Sequence, residues 1–333
     1  MQSADPPRIP LIDVRSPGEY HHGHIPGAIN IPLFDNEERK TVGILYKQKG
    51  RESAIAKGLE IVGPKADGFI RQAKELNSGS KLMVHCWRGG MRSESMAWLW
   101  STTGFDVTVL EGGYKAYRQN VLSDFGKPLK LIILGGKTGS GKTAILHALA
   151  QEGEQVIDLE GLACHKGSAF GAIGQLPQPT VEQFENDLHQ ALGKLDAERH
   201  IWIEDESHSI GRVYIPQLFY DQMKSAPVHV IEIPLEARVT RLMEEYAGAP
   251  KDQLVEALMK IQKRLGGNDV KKAISALDAG DYKTGAEIAL HYYDKAYTHG
   301  LMQKSPKLIY KLEQGGDNPR ATAIQLINFY KND

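Results

Sequence analysis

The stretch LKLIILGGKTGSGKTAILHALAQE, residues 129–152, constrains this 333-residue chain more than any other. Its unbroken apolar run predicts a buried strand, and the spacing after Thr143 predicts a helix. Between them Gly136, Lys137, Thr138, Gly139, Ser140, Gly141, Lys142 and Thr143 satisfy the phosphate-loop pattern G-x-x-x-x-G-K-[ST]. Glycines there let successive backbone N–H groups converge on phosphate oxygens at the positive end of the helix. Lys142 supplies a point charge to terminal phosphates, and the Thr143 hydroxyl suits Mg²⁺. The motif indicates a di- or triphosphate ligand and leaves the reaction open.

A phosphate loop usually needs a carboxylate at the end of a neighbouring strand to organise Mg²⁺. Glu204 and Asp205, closing the apolar run HIWIED, are the first candidates, and Asp158 at the end of QVIDL is the second. Each would serve equally well as a cap or turn residue. Arg238 and Arg241 lie three apart and so on one helix face. They are candidates to close over a phosphate, or members of an exposed, salt-bridged surface.

Further strands are predicted at residues 155–159, 200–205 and 228–234, and the chain from Leu235 onward reads mainly helical. Upstream, IPLIDVR (Ile9 to Arg15), KLMVHC (Lys81 to Cys86) and DVTVL (Asp106 to Leu110) read as strands, with the helical pattern RSESMAWLW between the last two. That βαβ alternation predicts a mostly parallel sheet. VLSDFGKPLK (Val121 to Lys130) carries a Gly and a Pro after a helical stretch. The expected organisation is therefore an α/β domain over 1–122, a linker over 123–130, and a second α/β domain with a helical C-terminal part over 131–333. The net charge of −1 gives no global basic field, so any nucleic acid must be met by local patches. No apolar run approaches the roughly 18 residues of a membrane span. MQSADPPRIP lacks an apolar signal core, and two cysteines build no disulfide framework, so a reducing cytoplasm is the expected setting.

The second reactive stretch is VHCWRGGMRS, Val84 to Ser93. Cys86 ends an apolar strand and is followed by Gly89, Gly90 and a helix. Loop N–H groups, the helix terminus, Arg88 and Arg92 all favour a thiolate, which is the reactive form, and would seat an anionic substrate. Cys86 to Arg92 also fits C-x5-R, so the loop by itself allows both chalcogen transfer and phosphate-ester cleavage. His21, His22 and His24 form a histidine cluster of lesser weight as a metal site.

LIDVRSPGEYHHGHIPGAINIPL (Leu11 to Leu33) and LEGGYKAYR (Leu110 to Arg118) resemble the start and end of a rhodanese domain. NEERKTVGILYKQKG, CWRGGMRS, GGKTGSGKT, DLEGLACHKGSAFG, EDESHSIG and YYDKAY, in that order, resemble the tRNA 2-selenouridine synthase family. The resemblance implies a rhodanese-like domain followed by a P-loop NTPase-like domain. It implies attachment of a geranyl group from geranyl diphosphate to the sulfur of wobble 2-thiouridine, and replacement of that sulfur by selenium from selenophosphate. Cys86 would carry selenium, as a perselenide by analogy with rhodaneses, and the P-loop would hold the donor's diphosphate with Mg²⁺. ATP or GTP binding is compatible but not expected to be essential. No dedicated protein metal site is expected, Mg²⁺ being held by Thr143 and phosphate. Partners implied are tRNAs of the Lys, Glu and Gln type and a selenophosphate-supplying enzyme. The family usually has arginine where Cys164 and Lys166 stand, and the helix that often precedes the first strand is expected to be missing. Competing readings are a sulfurtransferase fused to a nucleotide-dependent kinase or ATPase, a C-x5-R phosphatase, and a non-catalytic tRNA-binding switch.

Two basic stretches are candidate tRNA contacts. Arg39, Lys40, Lys47, Lys49 and Arg51 lie close together with Tyr46 available for stacking, and Lys260, Lys263 and Arg264 are expected on one helix face, followed by Lys271 and Lys272. A solvated charged face is the competing reading for each.

Overall fold

A computed structural model describes residues 9–76, 79–246, 248–302 and 305–331. The first eight residues, read above for a missing signal core and a missing helix, lie outside the described residues. The chain divides into two compact units, Met1–Asp124 with Glu185–Asp187, and Phe125–Phe184 with Leu188–Asp333. The division falls within the stretch read as a linker, but that stretch is not loose. The Gln222 side chain donates to the carbonyls of Phe125 and Lys127 and accepts from the Leu129 N–H.

The first unit runs β1 (Leu11–Asp13), α1 (Pro17–His22), β2 (Ile29–Asn30), α2 (Asn36–Lys49), α3 (Arg51–Val62), α4 (Ala66–Glu75), β3 (Lys81–His85), α5 (Met91–Thr102), β4 (Asp106–Val109) and α6 (Gly113–Asp124). Its sheet has the order β2-β1-β3-β4, every pair parallel. Strands buried on both faces explain the unbroken apolar runs. Val84 pairs with Ile12 on one side and Val109 on the other. Trp100, fully buried, anchors α5 by donating its indole N–H to the Phe69 carbonyl at 3.1 Å. Helices α1 and α2 each begin with a capping box, Ser16 with Glu19 and Asp35 with Glu38.

The second unit runs β5 (Leu131–Gly136), α7 (Lys142–Gln151), β6 (Gln155–Ile157), α8 (Leu159–Ala163), α9 (Val181–Leu192), β7 (Ile201–Glu204), β8 (Ser209–Ile210), β9 (Val213–Tyr214), α10 (Gln217–Ser225) and β10 (Val228–Glu232). It continues through α11 (Leu235–Glu245), α12 (Lys251–Lys260), α13 (Gln262–Leu265), α14 (Gly267–Asp278), α15 (Tyr282–Leu301), β11 (Ile309–Glu313) and α16 (Pro319–Lys331). The five-stranded sheet has the order β11-β10-β5-β7-β6, again all parallel. The strand before the phosphate loop is thus central, and its loop opens at the carboxyl ends of the strands, where parallel sheets bind ligands.

Two expectations change. The helical C-terminal part contains a strand, β11, at the sheet edge. Its mostly exposed residues, with Lys311 and Glu313 among them, hide it from an apolar-run reading. The helix expected to carry Lys260, Lys263 and Arg264 is broken: α12 ends at Lys260, and Lys263 and Arg264 belong to α13. Ile261, 7% exposed, turns inward at the break. The three cations therefore do not share one helix face.

Candidate active sites

In the first unit Cys86 follows β3 directly and faces the first turn of α5, whose N-cap Gly90 offers no side-chain cap. Cys86 is 4% exposed. Burial pushes its thiol up, but the Ser93 hydroxyl at 3.3 Å, the N–H groups of Arg88 and Ser93, and the Arg92 charge together hold it below the ordinary cysteine range. Arg92 is itself gripped by the Glu19 carboxylate at 2.9 Å, while Arg88 is exposed at the loop surface. Arg92 and Arg39 outweigh burial at Glu19 and keep its carboxyl ionised below the usual range.

The glycines are steric requirements. Gly89 has φ +68, and a Cβ on it would stand 2.6 Å from the Leu110 carbonyl oxygen. Gly113, φ +58, would put a Cβ 2.4 Å from the Cys86 carbonyl oxygen. That close approach lets the N–H groups of Tyr114 and Lys115 donate to the carbonyls of Cys86 and Trp87, both at 2.9 Å. LEGGYKAYR is therefore the floor on which the thiol loop is built. His24 stacks on Tyr20 at 3.9 Å and bonds its carbonyl, a structural role. Among the described residues no group of three or more His, Cys, Asp or Glu side chains is arranged to hold a metal.

In the second unit the phosphate loop borders a cavity of about 860 Å³. Gly139 and Gly141 take φ +80 and +78, and the Lys142 ammonium donates to the Gly136 carbonyl at 3.2 Å. Thr143 donates to Glu160 at 3.2 Å. Of the carboxylates named from sequence, Asp158 and Asp205 line this cavity and Glu204 does not. Glu204 is 2% exposed and accepts the Glu160 N–H at 2.7 Å, so it braces α8 from behind. Asp158 caps α8 through the Gly161 N–H and faces His147 at 3.2 Å.

Two further carboxylates, Glu160 and Glu206, which no strand-end pattern marks, reach the cavity. Both lie in quoted motifs, DLEGLACHKGSAFG and EDESHSIG, but only tertiary structure brings them together. Burial, then the neighbouring Glu160 charge, pushes Glu206 up to about 8 against the pull of Lys142. Burial likewise raises Glu160, and the two carboxyls share a hydrogen bond. A pair that holds a proton beside Thr143 can give it up to solvent as a cation takes its place, so the donors present fit Mg²⁺ held mainly by phosphate oxygens and water.

The two arginines part company. Arg238, 4% exposed, grips Asp294 of α15 with two bonds of 2.8 Å and donates to the Thr138 carbonyl at 3.2 Å. It is a strut behind the phosphate loop, turned away from the cavity by its burial. Arg241 lines the cavity, with its guanidinium packed on Gly141 and bonded to Asp317 at 2.7 Å. YYDKAY is explained by the same helix face. Tyr293 receives the Ala169 N–H at 3.0 Å, Asp294 holds Arg238, and Tyr297 packs on Gly135. Cys164 closes α8 at φ +48 and Lys166 pairs with Glu245 at the cavity wall.

A low-lying thiol on a four-stranded parallel sheet and a phosphate loop on a five-stranded one define a rhodanese-like unit joined to a P-loop unit. Residues 1–120 match the rhodanese-like domain, and residues 129–316 match the tRNA 2-selenouridine synthase AAA domain. The tRNA 2-selenouridine synthase of Sulfurovum sp. is 35% identical over 344 residues, covering 91% of each chain, and that of Shewanella frigidimarina is 37% identical over 342 residues, again 91% of each. Among solved structures, the N-terminal domain of a putative ATP/GTP binding protein from Clostridium difficile 630 is 47% identical over 34% of this chain and 89% of that one, with a TM-score of 0.33. The chain belongs to the tRNA 2-selenouridine synthase family.

Proposed function

We propose that this enzyme converts wobble 2-thiouridine in tRNA to 2-selenouridine in two steps. The reading is supported above all by the presence, in one chain of this family, of two anion-binding loops with different chemistry, one built around a thiol and one around a phosphate-binding lysine. In the first step the 2-thio sulfur attacks the first carbon of geranyl diphosphate. An S–C bond forms, the C–O bond breaks and diphosphate leaves. Lys142 and the N–H groups of residues 136–143 hold that departing anion, and Arg241 closes beside them. Mg²⁺, held by phosphate with Thr143 and the Glu160–Glu206 pair, would neutralise further charge on it. In the second step the selenium of selenophosphate attacks C2 of the base, the C–S bond breaks and the S-geranyl group departs as a thiol, a far better leaving group than the unalkylated thiocarbonyl; water then cleaves the Se–P bond and phosphate leaves. Cys86 handles the selenium, with Arg88, Arg92 and the backbone of Gly89 and Gly90 seating the anionic selenophosphate. Lys142 neutralises a diphosphate as well as a triphosphate, so a nucleotide is not required.

The tRNA, of the Lys, Glu or Gln type, meets exposed cations. Lys47, Lys49 and Arg51 lie on α2 and at the start of α3, beside Arg39 and Lys40, which hold looser ion pairs of 3.6 and 3.7 Å to Glu19 and Glu37. Lys260, Lys263 and Arg264 offer a second contact through the ends of α12 and α13. Binding through such residues falls steeply with salt. The setting is cytoplasmic, and a selenophosphate-producing enzyme supplies the second substrate. The test is mass spectrometry of wobble nucleosides after incubating tRNA with the protein, geranyl diphosphate and selenophosphate. S-geranyl and seleno species are expected; finding neither overturns the reading.

A further inference from the structure

The phosphate-loop cavity is not only polar. An apolar chamber of about 280 Å³ adjoins it, and Thr138, Ser168, Tyr246 and Tyr293 line both spaces. Beyond that shared rim the walls are apolar except for Tyr282, which is 41% exposed and stands at the solvent side. Leu254 and Leu258 come from α12, Leu277 from α14, and Gly285, Ala286 and Ala289 from α15. The room exists because α15 presents three small residues where leucines would otherwise interlock. Leu277 fits so closely over Gly285 that a Cβ there would stand 3.3 Å from it. Protein interiors rarely leave voids much larger than a water molecule. An apolar hollow of this size opening on a phosphate site has the form of a ligand subsite.

Its lining selects the ligand's chemistry. A nucleobase needs hydrogen-bond partners when buried, yet the Leu, Gly and Ala side chains of α12, α14 and α15 offer none, the exposed Tyr282 stands at the solvent side, and the Tyr293 hydroxyl at the rim already accepts the Ala169 N–H. A hydrocarbon chain needs only contact. Thr138 belongs to the phosphate loop itself, so a ligand with its diphosphate on that loop enters the chamber with its first carbons. We propose that the chamber holds the hydrocarbon chain of the diphosphate donor, and that Gly285, Ala286 and Ala289 set the space available to it. This rests on the reading of the P-loop ligand as a prenyl diphosphate.

The test is calorimetric binding to the full chain with Mg²⁺, comparing inorganic diphosphate, geranyl diphosphate and ADP. The buried chain should make geranyl diphosphate bind roughly a hundredfold more tightly than inorganic diphosphate. Ala286→Leu should cut that preference to less than about tenfold and leave inorganic diphosphate binding unchanged. Met243→Trp, which fills the chamber from α11 at a position 37% exposed, should do the same and serves if Ala286→Leu does not fold. A preference that survives in a folded variant overturns the chamber assignment alone. Wild-type protein that binds ADP tightly and geranyl diphosphate no better than inorganic diphosphate overturns the donor reading and the chamber with it.

Discussion

Replacing Ser93 by alanine removes the side-chain hydroxyl bonded to the Cys86 sulfur at 3.3 Å, in a spot where both groups are buried. A hydrogen bond to a charged group contributes about 1.5–3 kcal/mol. The Ser93 hydroxyl has a second acceptor, the Gly90 carbonyl at 2.9 Å, so the lower end of that range applies. About 1.5 kcal/mol is roughly a tenfold loss of thiolate at a pH on the rising limb of its titration. A more basic thiolate is also more nucleophilic, with a Brønsted slope of about 0.4–0.5, which leaves a net fall of roughly threefold in alkylation rate. The assay is site-resolved iodoacetamide labelling across pH, with Cys164 as the internal reference. The Cys86 profile should move to higher pH and slow about threefold on its rising limb, while Cys164 is unchanged. An unmoved Cys86 profile would refute the argument and leave the backbone N–H groups and Arg92 as the only stabilisers.

Other consequences follow from the same geometry. Gly113→Ala places a Cβ 2.4 Å from the Cys86 carbonyl oxygen at φ +58; it should cost more than about 2 kcal/mol in urea unfolding and distort the thiol loop, and a neutral effect would contradict that packing. Arg238→Ala removes both short bonds to Asp294, leaving it Lys137 at 3.8 Å, and strips the Thr138 carbonyl of its guanidinium donor; about 3 kcal/mol should be lost, with weakened diphosphate binding by calorimetry. Glu206, raised to about 8 from the ordinary 4.5, binds more protons folded than unfolded between those values. Its contribution to stability is therefore present below the unfolded pKa and lost as pH rises through about 8. The thermal midpoint of the ligand-free protein should fall between roughly pH 5 and pH 8, and fall less in Glu206→Gln; identical profiles would refute the shared proton.

Residues 136–143 and 86–92 were legible because each is a contiguous strand–loop–helix whose chemistry is written in a local pattern. The carboxylates were less so. Asp158, Asp205 and Glu204 end strands as expected, but which of them faces the cavity depends on side-chain direction, and Glu204 turns inward. Glu160 and Glu206 are 46 positions apart, counted as 206 − 160, and meet only through the fold. The spacing of Arg238 and Arg241 placed them correctly on one helix. It could not say that Asp294 would draw one behind the phosphate loop and Asp317 hold the other at the cavity. The edge strand β11 and the break at Ile261 are set by packing partners, which periodicity does not carry.

The central claim is that alkylation and selenation reside on different loops. Cys86→Ala protein, incubated with tRNA, geranyl diphosphate and selenophosphate, separates them by mass spectrometry of the wobble nucleosides. S-geranyl-2-thiouridine should form and accumulate with no 2-selenouridine, whereas Lys142→Ala should impair geranylation. Undiminished 2-selenouridine from the Cys86→Ala protein would contradict the account.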